Sequence, residues 1–102
     1  MCFRDPRSGP VAQENVAVAA KLDRTQIKSA LALSDPAISS FLDLQTGMVV
    51  DLIEGDTSPA QVELSQQVMD GYGDRFRYIP GGNANVDAAA IDSWLEAEGI
   101  TP

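Results

Sequence analysis

Residues 41–53 constrain the fold more than any other stretch of this sequence. They read Phe-Leu-Asp-Leu-Gln-Thr-Gly-Met-Val-Val-Asp-Leu-Ile. Two apolar runs rich in strand-forming residues flank residues 45–47, which is typical of a β-hairpin with a three-residue loop. Gly47 can take the left-handed conformation that such a loop requires, because glycine has no Cβ to clash. We therefore predict a hairpin closed by Leu44 and Met48.

The register of this hairpin decides which side chains share a face of the sheet. If Leu44 lies opposite Met48, then Asp43 lies opposite Val49, and side chains alternate from there along each strand. One face is then apolar and is predicted to form the core: Leu42, Leu44, Met48, Val50 and Leu52. The other face is mixed and is predicted to be an interaction surface: Phe41, Asp43, Val49, Asp51 and Ile53.

The size and composition indicate a single globular domain in the cytoplasm. The chain has 102 residues, of which 44% are hydrophobic and 22% are charged. No apolar run approaches the length of about 20 residues that spans a bilayer, and the N-terminus shows no signal-peptide pattern. The one cysteine, Cys2, cannot form an internal disulfide or a cysteine metal cluster. We expect no membrane partner and no cofactor.

The net charge of −8 is unevenly distributed along the chain. Residues before Asp51 carry as many basic as acidic side chains, whereas only Arg75 and Arg77 are basic from there onward. Binding to nucleic acid requires clustered lysine and arginine, so we expect no nucleic-acid partner. Basic proteins or cationic small molecules are compatible with this charge. The preferred interpretation of the charge alone is an acidic surface that serves solubility.

Helix signals divide the rest of the chain. Residues 1–15 are predicted to be an irregular arm and residues 16–102 a single domain, in which residues 16–22 suit a strand or a helix. A helix over residues 24–33 is expected to begin with a capping box of Asp23 and Gln26. A second helix begins after Ser58, with Pro59 first and Gln61 third. Its apolar stripe is predicted to consist of Val62, Ser65, Val68, Met69 and Tyr72.

The C-terminal part is predicted to contain one more strand and one more helix. Residues 76–79 alternate polar and apolar side chains up to Pro80, which indicates a short edge strand. Asn85 is the expected cap of the last helix, and Gly99 and Ile100 are expected to end it in a Schellman-like turn in which Ile100 folds back on Leu95. Trp94 lies on the apolar stripe of that helix and is predicted to be a core residue.

The sequence offers little for catalysis. It contains no histidine, the commonest general base and metal ligand. Asp43 and Asp51 share a face in the predicted register, so they could form an acid/base pair or bind a divalent cation. The alternative is that both are solvated strand residues that discourage aggregation.

Residues 41–50 resemble the aromatic-Leu-Asp-x-Glu-Thr-Gly-x-Val-Val motif of the bacterial uncharacterised protein family 0158 of the UPF series. The order of helices, the Arg-x-Tyr-Ile-Pro strand and the last helix with Trp94 are also similar, over roughly residues 20–98. This chain has Gln45 in place of the usual glutamate. The resemblance implies a bacterial α+β domain, and it implies no activity or catalytic residue.

Together these observations predict a small α+β domain. It has a meander-like antiparallel sheet made of the hairpin over residues 41–53 and a strand near 76–79, with residues 16–22 as a candidate further strand, and about three helices packed on one face of the sheet. We predict a non-catalytic protein-interaction module with an acidic surface. The alternative is a metal-dependent enzyme or small-ligand binder that uses Asp43 and Asp51. Three apolar side chains on the mixed face need a cover, and we hypothesise that a homodimer contact near Phe41 provides it.

Overall fold

The computed structural model describes residues 21–100, and the predictions for residues 1–20 lie outside this part of the chain. The described part is the predicted α+β fold, with three helices and a three-stranded antiparallel sheet. The elements in chain order are α1 (Arg24–Ala32), β1 (Ile38–Asp43), β2 (Val49–Ile53), α2 (Pro59–Gly71), β3 (Phe76–Ile79) and α3 (Ala88–Ala97). No helix among the described residues is both long enough and apolar enough to cross a membrane.

The hairpin forms, but its predicted register is wrong by one residue. Phe41 lies opposite Val50 rather than Asp51, and Leu42 lies opposite Val49. The loop contains four residues instead of three, because the Asp43 N–H donates to the Met48 carbonyl and the Gly47 N–H donates to the Asp43 carbonyl. Since side chains alternate along a strand, this shift moves every β2 side chain to the face opposite the one predicted.

The order of the strands is β2-β1-β3, so the first strand of the hairpin is central. This is not the simple meander order, in which β2 would lie in the middle. β3 is an edge strand, as predicted, and it pairs with β1 so that Phe41 lies opposite Tyr78 and Asp43 opposite Phe76. The backbone of β1 is thus bonded on both sides.

The face of the sheet that carries Leu42, which we call the Leu42 face, forms the main core. The helices α1 and α3 cover it, and their apolar stripes enclose Leu42 and Ile79, which have exposed fractions of 0% and 1%. The other buried members of this cluster come from both helices and from the turn that follows α3: Ile27, Ala30, Leu31, Ile91, Trp94, Leu95 and Ile100. Trp94 is therefore a core residue, as predicted.

The opposite face carries Phe41, and we call it the Phe41 face. The helix α2 crosses it: Gln61, near the start of α2, bonds to the outer edge of β2, and Tyr72, just after its end, bridges to Phe76 of β3. Val68 in the middle of α2 is buried against this face. The helices thus lie on both faces of the sheet and not on one.

The ends of the helices follow the sequence signals in most cases. Asp23 and Ser58 cap α1 and α2 through their side chains, as predicted. The cap of α3 is Asp87 and not Asn85, because the Asp87 carboxylate accepts the Ala90 N–H. Ile100 folds back as predicted, and its N–H donates to the Leu95 carbonyl.

Candidate interaction groove

A groove runs along α2 on the Phe41 face. It consists of two adjoining depressions of about 720 and 450 Å3, and both include Phe41 and Leu52 at their base. The first lies beside the N-terminal half of α2, and the second lies beside its C-terminal half. The helix side of this α2 groove is formed by Val62, Ser65, Val68, Met69 and Tyr72, and the sheet side by Ser39, Phe41, Leu52 and Tyr78.

The groove collects most of the exposed large apolar side chains in the described part of the chain. Six such residues have more than 40% of their surface exposed, and Met48 alone lies elsewhere, in the hairpin loop. The five in the groove are Ile53, Val62, Met69, Tyr72 and Tyr78. Single exposed apolar residues are ordinary on protein surfaces, whereas a contiguous set of this kind is typical of a binding site.

Three aromatic rings on this surface pack together, with Phe41 in contact with the other two. Phe41 contacts Tyr72 edge-on, with ring centroids 6.2 Å apart. It also contacts Tyr78, with ring centroids 5.5 Å apart. These contacts tie the end of α2 to β1 and β3. Met69 lines the same depression as these rings and has an exposed fraction of 77%.

Acidic side chains border the groove. Glu54 and Asp56 line one end, and Glu63 and Asp70 flank Gln66, which lines the groove, on the neighbouring turns of α2. We call these four residues the acidic rim. All four are exposed, and no basic residue lines the groove. The surface is therefore apolar at its base and negatively charged at its border.

The nearest arginines do not neutralise the acidic rim. Arg75 donates two hydrogen bonds to the Asp43 carboxylate, at 2.9 and 2.8 Å. Arg77 donates to the backbone carbonyls of Gly73 and Asp74. Both side chains are thus occupied within the described structure.

The predicted interaction surface is not a single surface. Because of the register shift, Phe41 and Asp43 lie on the Phe41 face, whereas Val49, Asp51 and Ile53 alternate with the residues of that face. Val49 packs against the main core. Phe41 and Ile53 both line the groove, the latter at the end of β2. The groove residues on α2 were not part of the prediction.

Asp43 is a buried structural residue. Its exposed fraction is 4%, and besides Arg75 its carboxylate accepts the Gln45 N–H. Burial raises the pKa of this carboxyl. The hydrogen bond from Arg75, the Gln45 N–H, the charge of Arg75 and the Thr46 hydroxyl together outweigh burial, so the pKa of Asp43 lies below its ordinary value. Asp43 holds the hairpin loop to the start of β3.

Asp51 lies on the other side of the sheet from Asp43. It faces Ser40, whose hydroxyl donates to the Asp51 carboxylate at 2.8 Å. The two aspartates therefore cannot act on one substrate or cation, and the geometric basis of the predicted carboxylate pair is wrong. No group of three or more potential metal ligands occurs among residues 21–100.

Two glutamines protect the outer edge of β2. Gln26 accepts the Val49 N–H, and Gln61 accepts the Ile53 N–H and donates to the Asp51 carbonyl. The sequence suggested that Gln26 closes a capping box and that Gln61 belongs to the start of the second helix. Their side chains satisfy backbone groups that would otherwise be free to pair with another strand. Pairing of another strand with this edge is thereby hindered. The groove beside α2 requires no pairing with this edge and stays accessible.

Comparison with known proteins found no matching family model, no matching curated protein and no matching solved structure. The resemblance to the uncharacterised family therefore stays a prediction.

Proposed function

We propose that this domain is a non-catalytic protein-interaction module and that the α2 groove is its docking surface. The observation that carries the proposal is the concentration of five of the six exposed large apolar side chains along one side of α2. A solvated surface gains nothing from such a concentration, whereas a binding surface gains apolar area that a partner removes from water.

The form of the groove supports the same function. Interfaces have an apolar, aromatic centre and a polar border, and tyrosine and methionine are enriched in them. The groove has Phe41, Tyr72 and Tyr78 at its centre and the acidic rim at its border. Aromatic side chains also bind at a small entropic cost, because they have few rotatable bonds.

A matched pair of methionine variants tests this proposal. Met69 lies in the groove, whereas Met48 lies in the hairpin loop and has an exposed fraction of 49%. Proteins captured from a bacterial lysate by the full chain should be purified and their affinities measured separately. We expect a true partner to bind the wild-type chain and the Met48→Gln variant equally, and the Met69→Gln variant about tenfold more weakly. Equal binding to all three chains would reject the groove as the docking surface.

The predicted homodimer is a special case of the same function, in which a second copy occupies the groove. Sedimentation equilibrium up to about 100 micromolar tests it, since interfaces of useful strength are populated in this range. A dimer that uses the groove should become monomeric in the Met69→Gln variant and persist in the Met48→Gln variant. A single monomeric mass for the wild-type chain would reject the homodimer and leave the groove to a different protein.

A further inference from the structure

We infer that the occupant of the α2 groove is a cationic amphipathic helix of another protein. This inference rests on the proposed function and adds to it the chemistry of the partner. It is argued from the charge around the groove, from its length and from the state of the neighbouring strand edges.

The charge around the groove selects a basic partner. The acidic rim supplies four exposed carboxylates, and no basic residue occurs between Asp51 and Asp74. Arg75 and Arg77, which follow, are bonded within the domain. A segment with lysine or arginine beside its apolar residues would meet opposite charges at the border of the groove, which raises both selectivity and the rate of association.

The same charge disfavours a second copy as the occupant. A two-fold contact through the groove places the same surface on both subunits, so the two acidic rims would approach each other. Like charges brought together at an interface oppose association. No basic residue of the groove lining is present to offset this repulsion.

The dimensions and the strand edges favour a helix over an extended peptide. A rise of about 1.5 Å per residue makes the stretch from Val62 to Tyr72 about 15 Å long, which matches three turns of a partner helix. An extended peptide would need a free strand edge to pair with. Gln26 and Gln61 occupy the edge of β2, and β3 is short and ends at Pro80. A partner helix needs only the apolar side chains that the groove presents.

Three designed peptides test this inference. Each has 14 residues with leucines spaced at i, i+3, i+4 and i+7, and the remaining positions are mainly lysine in the first, glutamine in the second and glutamate in the third. Binding of labelled peptide to the full chain is measured by fluorescence anisotropy at low and at high salt. We expect the lysine peptide to bind at least about tenfold more tightly than the glutamine peptide, and the difference to shrink at high salt.

Variants of the chain locate the binding. We expect Met69→Gln to weaken the lysine peptide about tenfold and Met48→Gln to leave it unchanged. Glu63 and Glu96 are exposed glutamates on different helices, and only Glu63 belongs to the acidic rim. Glu63→Lys should therefore weaken the lysine peptide about fivefold, and Glu96→Lys less than twofold.

The outcomes separate the inference from the proposed function. If all three peptides bind equally and Met69→Gln weakens each of them, the groove is a docking surface but the cationic partner is wrong. If the lysine peptide binds regardless of the methionine and glutamate variants, the attraction is not specific to the groove and the inference is rejected. A lack of binding by any peptide also rejects it, while the capture experiment decides the proposed function independently. A dimer that Met69→Gln dissociates would replace the helix by a second copy.

Discussion

On the Leu42 face, α1 and α3 bring two apolar stripes onto the sheet, and the side chains between them are almost wholly excluded from water. On the Phe41 face a single helix crosses the same three strands, and large apolar side chains stay exposed beside it. A chain of this size can close one face of a narrow sheet from its own residues. Within residues 21–100 the Phe41 face is the one with large apolar side chains left exposed, and this difference is the basis of the proposed docking surface.

The largest expected effect comes from comparing a buried side chain on the Leu42 face with an exposed side chain on the Phe41 face. Leu42 has an exposed fraction of 0% and Met69 of 77%. Leu42→Ala should lower the free energy of unfolding by about 3 kcal/mol, because it leaves a cavity in a closed core. Met69→Ala should change it by less than about 0.5 kcal/mol. Urea denaturation measures both, and similar losses in the two variants would show that the Phe41 face is as closed as the Leu42 face.

The hairpin loop provides the next test, because Gly47 in this loop lies against Lys21 and Asp23 in the segment before α1. Gly47 has a φ of +76°, and a Cβ there would lie 2.0 Å from the Lys21 carbonyl oxygen. Gly55 has a φ of +87° and open space around it. Both substitutions by alanine strain the backbone, but only Gly47→Ala must also displace a neighbouring segment.

We therefore expect Gly47→Ala to cost about 2 kcal/mol and Gly55→Ala about 1 kcal/mol. Thermal and urea unfolding of the two variants give the comparison directly. Equal losses would mean that the approach of Lys21 to the loop contributes nothing to stability. In that case the segment around Lys21 could shift away from the loop, together with the Asp23 N–H that donates to the Gly47 carbonyl, without loss of stability.

Local signals predicted the elements of this fold well, and pairings between elements poorly. The caps at Asp23 and Ser58 and the C-terminal turn at Ile100 depend on residues a few positions apart, so the sequence alone defines them. The register failed because both a three-residue and a four-residue loop place Gly47 in a left-handed conformation. The pattern of apolar residues in β2 did not distinguish the two registers, since Val49 and Val50 are adjacent.

The groove was missed for a related reason. The sequence placed Val62 and Met69 on the apolar stripe of α2, which is ordinarily a buried stripe. In the structure Val68 and its neighbours contact the sheet, and the side of the stripe with Val62 and Met69 stays exposed. The position of α2 on the sheet involves contacts between distant residues, through Gln61 to β2 at one end and Tyr72 to Phe76 at the other, which the helical pattern alone does not reveal.

Asp43→Asn tests the ion pair between the buried Asp43 and Arg75 on the Phe41 face. This change keeps the shape of the side chain but removes its charge and replaces one acceptor oxygen by an NH2 group, so one of the two hydrogen bonds from Arg75 is lost and the other weakens. We expect a loss of about 1.5 kcal/mol at pH 7. The rim glutamate variant Glu63→Gln is the control for net charge and should leave stability nearly unchanged.

The pH dependence of this loss follows from the lowered pKa of Asp43. Because the unfolded chain binds a proton more readily there, the stability supplied by the ionised carboxylate is present above about pH 4 and disappears as the pH falls through the folded-state pKa. The difference between the wild-type chain and Asp43→Asn should therefore shrink between pH 5 and pH 2. A constant difference over that range would contradict the assignment of the ion pair.

The smallest expected effect concerns a buried side chain on the Leu42 face whose N–H lacks a hydrogen-bond partner among the described residues. The indole Nε1 of Trp94 is buried and has no hydrogen-bond acceptor among the described residues. Burial of an unpaired N–H is unfavourable, so Trp94→Phe removes an unfavourable group together with favourable ring contacts. We expect the two changes to offset one another and stability to fall by less than about 1 kcal/mol, compared with about 3 to 5 kcal/mol for Trp94→Ala. Urea denaturation distinguishes these values. A loss above about 2 kcal/mol in Trp94→Phe would mean that the indole N–H has an acceptor, and that the Leu42 face is closed by a polar bond as well as by packing.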